Sequence, residues 1–271
     1  MSESRSRISR RVLLATPVLL AEFTRVRPAA ADDTLRVGVM AGDSETIMAA
    51  AAEEAKLRGL TLKIVPFSDY VLPNEALEHG DIDANSFQHV PYLENQIRTR
   101  GYHLVPVGFT VIAPIGLYSH KVHAVADLPR GARIGVPNDP SNGGRSLLLL
   151  QSEGVIRLRD GVGILPKVQD IVDNPKGVKI IELDAGLIGR SIDDLDAGTV
   201  NTDWAMKSGL DVVHDRIASE PIEGNPYRNV IVVKQGNETN PRVRKLVESY
   251  QTERVRKTIL EVWKGATLPA W

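Results

Sequence analysis

Three observations predict that this 271-residue sequence folds as an α/β protein of two lobes. Short β-type runs alternate with helical patterns, the signature of βαβ units. A content of 42% hydrophobic and 25% charged residues supplies material for two modest cores. Two extended stretches, Val111 to Tyr118 and Tyr227 to Val233, each have a proline near their start and read as crossings between lobes. A single doubly wound domain is the competing arrangement. On the two-lobe reading, residues 34–115 and 228–271 form the first lobe and 116–227 the second, with ligand in the cleft between them.

Taken in order, the elements begin with a strand at Leu35 to Val39 and an alanine-rich helix from Glu45 to Leu57. Further strands are expected near Leu62 to Val65, His103 to Val107, Arg133 to Val136, Val178 to Leu183 and Asn229 to Val233. Asn240 followed by Pro241 reads as an N-cap with proline at the first helical position. Val243, Leu246, Val247 and Tyr250 then give that helix one apolar face, and a last helical region closes the chain.

At the N-terminus, Arg5, Arg7, Arg10 and Arg11 precede the apolar VLLATPVLLA, and the small run Ala29 to Ala31 follows. This is a secretory signal layout, expected to be cleaved after Ala31. Ser9, Arg10 and Arg11 before Val12 to Leu14 resemble a twin-arginine signal. With residues 1–31 removed, 27 basic and 32 acidic residues remain, a formal charge of about -5 that suits solubility rather than polyanion binding. No apolar run reaches the roughly 18 to 20 residues of a membrane span. The absence of cysteine excludes disulfides, thiolate metal sites and cysteine nucleophiles. It also removes the usual lipid attachment point, so a freely diffusing periplasmic protein without a lipid anchor is expected.

Two segments carry the functional signal. FSDYVLPNEALEHGDIDANSFQHVPYL collects Tyr70, Phe87, His89 and Tyr92 beside proline-marked turns. Aromatic rings of this kind suit an apolar or sulfur-containing side chain. VPNDPSNGGRSLLLL opens an apolar helix with Arg145 in its first turn, where a guanidinium can hold a carboxylate bidentately. Gly143 and Gly144 would let a ligand approach the backbone there. Asn201 and Asn229 stand at the edges of β-type runs, where an amide can accept from an ammonium or donate to a carboxylate. Taken singly, each of these residues is better explained by a surface ion pair, a small aromatic core or turn chemistry. The clustering favours a site. Asp81 and Asp83 read as turn residues, and Asp193, Asp194 and Asp196 as a solvated face. None of the six histidines has metal-ligand spacing, and no nucleophile elbow or phosphate loop occurs, so no catalytic residue, metal or cofactor is assigned.

These strings, together with LRVGVMAG, LRDGVGILP and NPYRNVIVV, resemble the methionine-binding NlpA-type lipoprotein family, from about Leu35 to Trp271. The resemblance implies a type II-like two-lobed periplasmic-binding-protein fold that closes on L-methionine and delivers it to the permease and ATPase subunits of an ATP-binding-cassette (ABC) importer. It implies that Arg145 holds the α-carboxylate, that Asn201 and Asn229 complete the polar contacts, and that Tyr70, Phe87, His89 and Tyr92 enclose the side chain. Trp204 stands where the family often has tyrosine, and Ser86 and Val90 flank the aromatic cluster where other residues are usual. Such changes bear on a preference for D-methionine, a methionine derivative, another amino acid or a short peptide. An enzyme using His89 with a nearby aspartate is the rival of a different class.

Overall fold

A computed structural model describes residues 33–271, so the expected signal segment lies outside the described residues. The chain begins with β1 (Thr34–Met40), α1 (Asp43–Leu57), β2 (Thr61–Phe67), α2 (Leu72–His79), β3 (Ala84–His89), α3 (Val90–Arg100) and β4 (Leu104–Ile112). It continues through β5 (Gly116–Tyr118), β6 (Arg133–Pro137), α4 (Pro140–Ser152), the short pair β7 (Arg157–Leu158) and β8 (Ile171–Asp173), and β9 (Lys179–Leu183). Next come α5 (Ala185–Ile188), β10 (Ala197–Val200), α6 (Thr202–Lys207), β11 (Arg216–Ser219) and β12 (Arg228–Lys234). Two helices, α7 (Pro241–Tyr250) and α8 (Glu253–Val262), and the short β13 (Leu268–Pro269) end the chain.

Two sheets organise these elements. The first has strand order β13-β4-β12-β3-β1-β2 and the second β11-β5-β10-β6-β9. In each, strands joined through helices pair in parallel, as β1 does with β2 and β3, and β6 with β9 and β10. The chain leaves the first sheet after β4 and returns to it at β12, so the two crossings fall at residues 113–115 and 220–227. The proline-marked stretches sit at these crossings, although Tyr227 to Val233 is mostly β12 itself.

Each sheet has its own core. Leu35, Val37 and Val39 of β1 pack on Ile47, Met48, Ala51 and Ala55 of α1, with Val243, Leu246, Val255 and Ile259 from α7 and α8. Burying each large aliphatic side chain of this kind stabilises by about 1.5–3 kcal/mol. In the second core, Ile134 and Val136 of β6 meet Leu147, Leu149 and Leu150 of α4. The N-cap at Asn240 forms as expected, its side chain accepting from the Arg242 N–H at 2.9 Å. The strand β3 was not anticipated. Its sequence ANSFQH is too polar to show a period, because Asn85 and Gln88 spend their amides on a buried network with Asn74.

Candidate functional site

The sheets place a cavity between them, enclosing about 770 Å³ of empty space partly open to solvent. Tyr70, Phe87, His89, Tyr92, Asn142, Arg145, Asn201 and Asn229 all line it, so all seven residues singled out in the sequence meet there, joined by Asn142. Phe87 and His89 both reach the cavity from β3, where the pairing with β12 skips Phe87, Val230 facing Gln88 and Ile231 facing Ser86. Pro91 lies in the first turn of α3, and Tyr92 follows it there, beside them.

The polar end of the cavity has its hydrogen-bond polarity set from one carboxylate. Asp139, the N-cap of α4, accepts the backbone N–H groups of Ser141 and Asn142 and also the Asn142 side-chain amide at 2.9 Å. The Asn142 carbonyl oxygen must then face the cavity, where it accepts from Asn201 Nδ2 at 2.9 Å. His89 Nδ1 accepts the Tyr92 backbone N–H, so Nε2 carries the ring proton and donates to the same Asn142 oxygen at 3.1 Å. Burial, and then the Arg145 charge, push the His89 pKa down to about 3, keeping the ring neutral. The consequence for Asn201 is that its Oδ1 is buried with no donor. That is an acceptor waiting for an N–H or O–H group.

Arg145 differs from its expected setting in three ways. It occupies the second turn of α4, not the first, and the N–H groups of the opening turn are already capped by Asp139. Its Nε and Nη2 edge is held by Glu220 at 2.5–2.8 Å, and Nη2 also donates to the Ala113 carbonyl. Side-chain exposures of 2% and 9% make this a buried ion pair. Nη1 has no hydrogen-bond partner among the described residues, so it is the part of the guanidinium left to hold a further carboxylate. Third, the glycines serve packing. A Cβ on Gly143 would lie 2.7 Å from the Pro137 carbonyl oxygen, and one on Gly144 would lie 2.9 Å from the Leu165 Cα. They let α4 approach the protein's own backbone closely.

The aromatic end is a ring nest. Tyr70 lies 5.9 Å from Phe87, 6.2 Å from Tyr92 and 5.7 Å from Trp204, between ring centroids. Phe87 and Tyr92 meet edge to face at 5.9 Å. Tyr227 links the two ends, with Arg145 stacked 4.4 Å over its ring and His89 5.1 Å away. Asn229, on β12, donates to the Phe87 carbonyl at 3.2 Å. Sequence reasoning missed Glu220, Tyr227 and Asp203. Glu220 and Arg145 are 75 residues apart, and nothing local pairs them.

Two sheet-centred bodies joined by two crossings, with a cavity between them, form the two-lobed fold of periplasmic binding proteins. A family model for the NlpA lipoproteins matches residues 35–271, and the chain belongs to that family. It is 46% identical over 240 residues to a D-methionine-binding lipoprotein, MetQ, of Escherichia coli K12, covering 88% of each chain. A nutrient-binding protein from Burkholderia cenocepacia, solved bound to methionine, is 44% identical with a TM-score of 0.85, over 88% of this chain and all of the other. An ABC-transporter periplasmic substrate-binding protein from Coxiella burnetii is 41% identical with a TM-score of 0.84, over 87% of this chain and all of the other.

Proposed function

We propose that this chain is a non-catalytic periplasmic binding protein that closes on L-methionine and presents it to the permease and ATPase subunits of an ABC importer. The observation that carries this reading is the pairing, in one cavity, of the unpartnered Asn201 Oδ1 with the free Nη1 of Arg145. A buried acceptor and a cationic donor together suit an α-amino-acid zwitterion. The ammonium would donate to Asn201, the carboxylate would accept from Arg145, and Asn229 would complete the polar contacts. The thioether would lie among Tyr70, Phe87, His89 and Tyr92, where sulfur against ring edges is favourable. The lobes then comprise 34–115 with 228–271, and 116–227.

His89 is a poor candidate for the rival enzymatic role. Both its ring nitrogens are engaged, and at a pKa of about 3 it is a weak base. Periplasmic location fits the Coxiella relative's description, and among the described residues no helix is long and apolar enough to cross a membrane. Export by the twin-arginine-like segment is read from residues 1–31. Mass measurement of the mature N-terminus from periplasmic extract checks it.

The deciding experiment is calorimetric titration of L- and D-methionine into protein unfolded, freed of co-purified ligand and refolded. Saturable one-site binding of the L form at a micromolar or lower Kd supports the reading. Tighter binding of the D form reassigns the enantiomer. No heat from either, in correctly refolded protein, overturns the methionine assignment.

A further inference from the structure

Tyr70 occupies the turn between β2 and α2 in the first body, and Asp203 the first turn of α6 in the second, 133 residues away. The Tyr70 hydroxyl nevertheless donates to Asp203 Oδ1 at 2.6 Å, across the cavity that both residues line. Trp204, the next residue, sets its ring against Tyr70. On its own side Tyr70 is steadied by Tyr92, whose hydroxyl donates to the Tyr70 backbone carbonyl at 2.9 Å. The Tyr92 bond stays within the first body, whereas the Tyr70 bond spans the two. Burial holds the Asp203 carboxyl above its ordinary value, and the hydrogen bond from Tyr70 offsets part of that rise.

We propose that Asp203 is a positioning residue that latches Tyr70 over the aromatic end of the cavity, making one side chain both a wall of the site and a bolt between the lobes. The inference rests on the methionine reading of that cavity. In an open cleft both groups return to water, so the bond exists only in the closed state. A bond of this kind shifts the open–closed equilibrium and slows ligand escape more than it alters encounter. A hydrogen bond to a charged acceptor is also stronger than a neutral one. It also limits side-chain length, because a ligand that props Tyr70 outward forfeits the bond.

The test is stopped-flow tryptophan fluorescence of L-methionine dissociation, calibrated by calorimetry. Tyr70→Phe keeps the ring and loses the bolt, and is expected to release methionine about tenfold faster, with the change carried in dissociation rather than association. Asp203→Ala should match it. Asp203→Asn, which still offers an acceptor to the tyrosine hydroxyl, should recover part of the loss. The Tyr70→Phe/Asp203→Ala double variant should be no faster than Asp203→Ala alone. Wild-type dissociation in Tyr70→Phe, or additive effects in the double variant, overturns the latch. Failure of the methionine reading looks different, since wild type itself then gives no binding signal. The cycle is in that case read on the dissociation of D-methionine or a methionyl dipeptide, where coupling between the two substitutions supports the latch and strict additivity overturns it.

Discussion

The two ends of the cavity are built on opposite plans. At the polar end, Asp139, Asn142, Asn201, Arg145 and Glu220 hold one another in fixed hydrogen-bond directions, nearly all from the second sheet and the crossings. At the aromatic end, rings from β3, α3, the turn after β2 and α6 touch at 5.7–6.2 Å, with few directional bonds among them. The difference follows from what each must exclude. A buried charge is tolerable only when its geometry is set beforehand, while an apolar side chain needs shape and dryness. The polar end is therefore pre-organised, and the aromatic end depends on Tyr70 and Trp204 meeting across the two bodies.

The largest expected break of this contrast is Arg145→Ala. It removes the proposed carboxylate partner and strands Glu220 as a buried, unpaired charge, costing about 3–5 kcal/mol of stability. Methionine affinity should fall by more than about 100-fold. Adding Glu220→Gln should restore the melting temperature without restoring binding. Recovery of binding as well would show that the Arg145 contribution is structural only.

Next is acid sensitivity. The unfolded chain binds a proton at the ordinary histidine value near 6.5, whereas folded His89 resists protonation down to about 3. Stability is therefore complete above about pH 6.5 and is lost as pH falls, by up to about 1.4 kcal/mol per unit within that window. Asp139 and Asp203, both raised by burial, act in the opposite sense. The comparison that isolates His89 is the pH profile of unfolding for wild type against His89→Gln, whose slope should be shallower.

Gly144→Ala separates packing from recognition. Its methyl group would press on Leu165, and overpacking of this kind costs about 1–3 kcal/mol, visible in thermal unfolding. Methionine affinity should change far less, since the glycine touches the chain's own backbone. The smallest effect is expected from Asn201→Ala. With Oδ1 unpartnered and only Nδ2 bonded within the protein, its removal should weaken methionine binding by about 1–1.5 kcal/mol and leave unfolding nearly unchanged. A large stability loss instead would place Asn201 with the structural network.

What could be read in advance was whatever neighbours in sequence decide. Strands β1, β6 and β9 and helices α1 and α7 announce themselves by apolar period and caps, because those signals need only a few adjacent residues. Phe87, His89 and Tyr92 were legible as a cluster for the same reason. Asn201 and Asn229 were distinguished from other turn asparagines only by family resemblance, since an amide at a strand edge has no local mark of its direction.

By itself, then, the sequence determined the α/β class, the family, the aromatic strip and the presence of an arginine on a buried helix. Only the tertiary structure decided which face of that arginine is free, because Glu220 reaches it from 75 residues away and takes the other edge. It likewise decided that Asp203 meets Tyr70 and that the paired glycines admit backbone rather than ligand. The physical reason is common to all three. Buried polar groups and close backbone approaches are satisfied by whatever the fold brings near, and that depends on strand order and crossings rather than on spacing along the chain.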